Sequence, residues 1–215
     1  LLSPLTKARP NYSLLMEESG EVIGQDTSNT WIIHPLDGTT NFLHGLPHFA
    51  ISLGLQLDGE MLAGVIYEPV HDELFWAEKG QGAHLNDRRI RVSGRSAMEE
   101  ALFATGIPFK GARDHPEFLK HLKAIMAVSS GVRRFGSAAL DLAYVAAGRY
   151  EGFWETGLNS WDMAAGIVLV REAGGYVTEI NGKSNMMKSG SILAANDQLH
   201  LPLGKLLRDS KKSNA

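Results

Sequence analysis

The chain has 215 residues, 44% of them hydrophobic and 21% charged, with no cysteine and a formal net charge of -3 at pH 7. That length can bury a substantial core without cross-links, and the missing cysteines exclude a disulfide framework, a thiolate zinc site, an iron–sulfur cluster and a cysteine nucleophile. The weakly acidic balance argues against a chain built mainly to neutralise nucleic-acid phosphates. With no apolar run near the roughly 20 residues of a bilayer span, and no signal-peptide pattern in Leu1-Leu2-Ser3-Pro4, the expectation is a cytoplasmic protein that avoids membranes.

In chain order, Trp31-Ile32-Ile33 predicts a short strand stopping at Pro35, with a helix start at Thr39-Thr40. Phe49–Asp58 and Glu60–Tyr67 flank Asp58-Gly59, the dipeptide of a type I′ hairpin turn. A strand at Glu73–Glu78, a turn at Lys79-Gly80-Gln81-Gly82 and a further hairpin element at Ala83–Asp87 complete a mostly antiparallel half, residues 1–100. From 101 to 215 the period changes. His115–Ser129, Gly136–Ala147 and Trp161–Ala173 have helical spacing, the last two ended by Gly148 and Gly174. Short strands are expected at Val132–Phe135, Gly152–Glu155, Tyr176–Ile180 and Ile192–Ala195. The two halves should form one structural unit of α/β (α+β) class, and the Asp209–Ala215 tail looks disordered.

Three segments carry chemistry: Glu17-Glu18-Ser19-Gly20, then His34-Pro35-Leu36-Asp37-Gly38-Thr39-Thr40-Asn41-Phe42, and Ser160-Trp161-Asp162-Met163-Ala164-Ala165-Gly166. Hard cations such as Mg²⁺ take oxygen ligands and share their sites with substrate phosphates. Glu17, Asp37 and Asp162 can supply such oxygens, and the turn after Asp37 offers backbone N–H groups to an anion. Taken singly, each has a plainer reading: Asp37 as a turn residue, Asp162 as a helix cap, Glu17 as half of a solvated acidic pair, and Glu155 as a surface strand residue.

Together, Trp-Ile-Ile-x-Pro-Leu-Asp-Gly-Thr-Thr-Asn-Phe and the downstream Trp-Asp-x-Ala-Ala-Gly resemble the inositol monophosphatase family of Mg²⁺-dependent, lithium-sensitive phosphomonoesterases, in particular its bacterial SuhB-type branch. The likeness runs from Glu17 to Asn196. It implies a layered α-β-α-β-α sandwich and hydrolysis of a small phosphorylated polyol, most directly inositol 1-phosphate, with fructose 1,6-bisphosphate, NADP or histidinol phosphate as alternatives. By resemblance, Glu17, Leu36 (through its carbonyl), Asp37 and Asp162 hold two or three Mg²⁺ ions. Gly38 and Thr39 bind phosphate, and Thr39 orients the attacking water. Gly136, Ser137, Ala138 and Glu155 face the polyol. The same likeness implies a homodimer and, from the SuhB branch, a regulatory alternative in which RNA polymerase or antitermination factors are the partners.

Two positions depart from the pattern. His34 stands where the family has an aspartate that bridges metals. A neutral imidazole offers one lone pair, cannot bridge, and favours Mn²⁺ or Zn²⁺ over Mg²⁺, so reduced activity is expected. Only sixteen residues precede Glu17, none of them acidic, and the family's opening helices are expected to be missing from the sequence.

Overall fold

The computed structural model describes residues 2–108 and 115–212. In chain order the elements are α1 (Leu2–Ala8), β1 (Tyr12–Met16), β2 (Gly20–Val22), β3 (Asp26–Asp37), α2 (Thr39–Leu43), β4 (Ala50–Leu57), β5 (Glu60–Glu68), β6 (Glu73–Glu78), β7 (Gly82–Leu85), β8 (Arg88–Ile90) and β9 (Leu102–Thr105). There follow α3 (His115–Met126), β10 (Gly131–Arg133), α4 (Ala138–Ala146), β11 (Gly152–Glu155), α5 (Ser160–Glu172), β12 (Tyr176–Thr178), α6 (Met186–Ser189), β13 (Ile192–Ala195) and α7 (His200–Lys212).

Eight strands form one sheet in the order β2-β1-β3-β4-β5-β6-β7-β8, and five form a second in the order β10-β9-β11-β13-β12. Along β4 the buried residues alternate from Ala50 to Gly54, the period of a sheet with one covered face. Asp58 and Gly59 both take positive φ, 48° and 83°, as a type I′ turn requires. The Lys79–Gly82 turn binds an anion belonging to the protein itself: the Gly80 and Gly82 N–H groups donate to the two carboxylate oxygens of Glu172 at 2.9 Å each.

Helices α4 and α5 fill the space between the sheets. Every residue of α5 from Met163 to Val170 is buried, so its apolar surface is continuous rather than a stripe. Small residues allow the close fit: a Cβ on Gly64 of β5 would lie 2.5 Å from the Ala165 carbonyl oxygen. A second core cluster, with Phe103, Ile125, Trp154, Leu203 and Leu207, lies between the small sheet and α3 with α7. On the outer face of the large sheet, Leu5 of α1 packs against Leu14, Met16 and Ile33. The layers are therefore α-β-α-β-α.

Two sequence expectations need correction. Strand β3 does not stop at Pro35 but continues to Asp37, with an irregular register against β4 between His34 and Asp37. A bulge is where a strand tolerates proline, because no ladder N–H is needed there. Nor is Asp209 the start of a disordered tail: α7 runs through it to Lys212, and Lys211 pairs with Glu117. Leu199, Leu203 and Leu207, spaced by four, bury one face of this segment. Residues 213–215 lie outside the described residues.

Candidate active site

The site begins with strand pairing. β1 runs parallel to β3 with Met16 opposite Ile33, which sets Glu17, the next residue, beside His34. The bulge after His34 then brings Asp37 back to the same side, and Asp162 arrives from the first turn of α5. His34 Nε2 lies 2.8 Å from Glu17 Oε2, while its Nδ1 lies 3.1 Å from Asp162 Oδ1 and 3.8 Å from Asp37 Oδ1. Burial alone would push the imidazole pKa down; the carboxylates of Asp162, Asp37 and Glu17 override it, and the net shift is upward.

The two aspartates each have one oxygen committed elsewhere. Asp37 Oδ2 accepts from Ser137 Oγ at 2.6 Å and from the Ala139 N–H at 2.8 Å, so the start of α4 clamps it. Ser137 is the N-cap of α4, its Oγ also accepting from the Leu140 N–H. Asp162 Oδ2 accepts from the Asn159 N–H at 2.8 Å, closing the start of α5. The remaining oxygens, Oδ1 in both residues, face His34. Burial raises the Asp37 carboxyl to about 6, against the opposing pull of the His34 ring and of the Ser137 and Ala139 hydrogen bonds.

Gly38, at φ 88°, turns the chain from β3 into α2. A side chain there would be strained, and its Cβ would sit 3.0 Å from the His48 carbonyl. The first-turn N–H groups of α2 have no partners within the helix, and Thr39 Oγ1 donates to the Leu36 carbonyl at 3.1 Å. Asn41, buried, ties this turn to the rest of the site by donating to the His48 and Phe135 carbonyls at 2.8 and 2.7 Å.

These residues open onto a cleft of about 250 Å³ that Gly136, Ser137, Ala138 and Glu155 also line. That volume is below the roughly 300–1,000 Å³ of drug-sized ligand pockets and suits a smaller ligand. Gly106 lies so close to Glu155 that a Cβ on it would fall 1.9 Å from the carboxylate. Burial, then the charges of Asp37 and Asp162, raise the Glu155 carboxyl to about 8, with Arg134 partly offsetting them. Because this folded-state value exceeds the ordinary 4.5, ionisation costs the folded chain more than the unfolded one, and stability is lost between those two pH values as pH rises. Glu155→Gln is therefore expected to match the parent's melting temperature near about pH 4.5 and exceed it near about pH 9 in chelator. A variant less stable than the parent at the higher pH would contradict this assignment.

His34, Asp37 and Asp162 each offer one ligand atom within 4.8 Å of the others, the one such group among the described residues. This donor set fits a divalent cation. His34 Nδ1 is buried, 3.1 Å from Asp162 Oδ1, and it offers a lone pair when the ring proton sits on Nε2, against Glu17. The arrangement does not fit two cations bridged at position 34, because the second ring nitrogen is turned to Glu17. Mixed imidazole and carboxylate donors suit Mn²⁺ or Zn²⁺ better than Mg²⁺.

The cleft also contains residues that sequence reasoning passed over. Asn159 and Gly106 gave no motif signal. Asp141 gave a faint one, as an acid inside the apolar run Ala138–Ala146.

Comparison with known proteins places the geometry in a lineage. The profile of the "Inositol monophosphatase family" matches residues 1–213. An inositol-1-monophosphatase of Mesorhizobium japonicum is 52% identical over 208 residues, covering 97% of this chain and 78% of that protein. Nus factor SuhB of Pseudomonas aeruginosa is 46% identical over 200 residues, 91% of this chain and 74% of the relative. The crystal structure of extragenic suppressor protein suhB from Bartonella henselae superposes with a TM-score of 0.93 at 53% identity, over 96% of this chain and 79% of that one. This chain, with its paired carboxylate motifs at one cleft, belongs to the inositol monophosphatase family of hydrolases.

Proposed function

We propose that the chain is a metal-dependent phosphomonoesterase acting on a polyol monophosphate, with inositol 1-phosphate the first candidate. The observation that carries this reading is the convergence of His34, Asp37 and Asp162 in one cleft. Glu155 lines the same cleft. His34, Asp37 and Asp162 would hold a divalent cation, whose chemistry there would be to acidify water and offset phosphoryl charge.

The chain's own residues do the rest. Gly38 and Thr39 present backbone N–H groups to the phosphate at the start of α2. The Thr39 hydroxyl, held by the Leu36 carbonyl, orients the attacking water. Gly136, Ser137, Ala138 and Glu155 receive the polyol. Glu17 orients the His34 ring instead of ligating the cation directly, a carboxylate–imidazole–metal arrangement. The site takes Mn²⁺ or Zn²⁺ in preference to Mg²⁺, and with Mg²⁺ alone turnover is low.

Phosphate release from inositol 1-phosphate, measured with Mg²⁺, Mn²⁺, Zn²⁺ and chelator, tests this. Release with Mn²⁺ at lower concentration than with Mg²⁺ is expected; no release with any of the metals would sink the reading.

A second reading has its own support in the relative named as a Nus factor and in the altered position 34. In it, the chain binds transcription or antitermination machinery as a homodimer, with catalysis weak or absent. Co-purification with RNA polymerase together with rescue of hydrolysis only by His34→Asp would favour it.

A further inference from the structure

Asp141 lies four residues after Ser137 on α4, within a helix whose other residues from Ala138 to Val145 are apolar or aromatic. It is 1% exposed, and its Oδ1 has no hydrogen-bond partner among the described residues. It nevertheless lines the same cleft as Glu155 and Asp37. A buried oxygen left unmatched is costly, whereas leucine at this position would incur no such penalty. Packing therefore does not account for an acid here. The start of α4 is clamped to Asp37 through Ser137 Oγ and the Ala139 N–H. Asp141, one turn further on, is thereby held at a fixed position relative to the metal-binding end of the cleft.

We propose that Asp141 is a further specificity-determining residue, whose carboxyl exchanges a hydrogen bond with a hydroxyl of the polyol phosphate beside Glu155. This deepens the phosphatase reading and rests on it. The chemistry favours a hydroxyl over other partners. Burial and the nearby Glu155 and Asp37 charges keep the Asp141 carboxyl well above the usual carboxylate range, with Arg134 offsetting part of the effect. A carboxyl accepts a hydrogen bond from a hydroxyl in either protonation state and donates one when protonated, and a hydroxyl can meet it both ways. Two such groups lining one cleft suit a hydroxyl-rich monophosphate.

The test uses the full chain with Mn²⁺ and two hydrolysis-resistant probes, the phosphonate analogue of inositol 1-phosphate and phenylphosphonate, which lacks hydroxyls. Asp141→Leu is expected to weaken the inositol phosphonate about tenfold or more, leave phenylphosphonate within about twofold, and melt no lower than the parent. Asp141→Asn, which keeps a donor and an acceptor, should restore inositol phosphonate binding to within about threefold. Equal weakening of both probes, or no change in either, would overturn the proposal. If Asp141→Leu does not fold, Asp141→Ala is read by the same ratio between probes. Failure of the unaltered chain to bind either phosphonate would instead overturn the phosphatase reading, and this one with it.

Discussion

Replacing His34 by aspartate is expected to tighten Mg²⁺ binding on the order of 100-fold, the upper end of what supporting groups around a metal contribute, and to raise the rate of inositol 1-phosphate hydrolysis at fixed Mg²⁺ in proportion. Imidazole supplies one soft-leaning nitrogen and already spends its second nitrogen on Glu17 Oε2 at 2.8 Å. Aspartate would supply two hard oxygens, able to join two cations. It would also add a negative charge to a cluster that already holds Glu17, Asp37 and Asp162, and would release Glu17 to act as a ligand. The same charge makes a second, opposite prediction for the protein in chelator. Four carboxylates without the ring's attraction repel one another, so His34→Asp should melt below the parent without metal and above it with Mg²⁺. Calorimetric titration and a phosphate-release assay read the first effect, and thermal melts with and without chelator read the second. Unchanged Mg²⁺ affinity with equal rates would mean that position 34 does not govern the metal.

Asp37→Asn should do the reverse, removing detectable hydrolysis while stabilising the metal-free fold. The asparagine oxygen can still accept from Ser137 Oγ and the Ala139 N–H, so α4 keeps its anchor. What is lost is the charge facing His34, and cation affinity should fall by at least about 100-fold. The sign of the stability change follows from burial. Asp37 has a folded-state value of about 6 against an ordinary 3.8, so at about pH 8 its ionised form costs the fold roughly 3 kcal/mol that asparagine avoids. At about pH 3.5 the difference should vanish, because aspartate is then largely protonated in both states. An unfolding series across this range, paired with the activity assay, separates a functional acid from a structural one. Joint loss of activity and stability at pH 8 would assign Asp37 to the fold.

Much of the site was readable because its residues are close in the chain. His34, Asp37, Gly38 and Thr39 fall within six positions, and their placement follows from a strand end, a turn and a helix start, all local features. The Asp58-Gly59 hairpin and the apolar α5 were legible for the same reason: turn chemistry and burial periodicity are written in neighbouring residues. The end of β3 was missed because proline normally breaks a strand; only pairing with β4 shows that Pro35 sits at a bulge. Helix α7 was missed in part because Pro202 and Gly204 weaken its local signal, while its stabilisation comes from Leu199, Leu203 and Leu207 packing on the distant small sheet.

The sequence by itself determined which atoms are available: oxygen donors and imidazoles but no thiolate, a histidine where the family has an aspartate, and a glycine turn able to meet an anion. Tertiary structure alone decided how they are shared. Parallel pairing of β1 with β3 gives Glu17 to His34, the start of α4 takes one oxygen of Asp37, and the closeness of Gly106 to Glu155 and the depth of Asp141 shape the cleft lining. These are contacts across as many as 102 positions, as between Ala139 and Asp37. Their energies depend on burial and on competing partners, which no local spacing records.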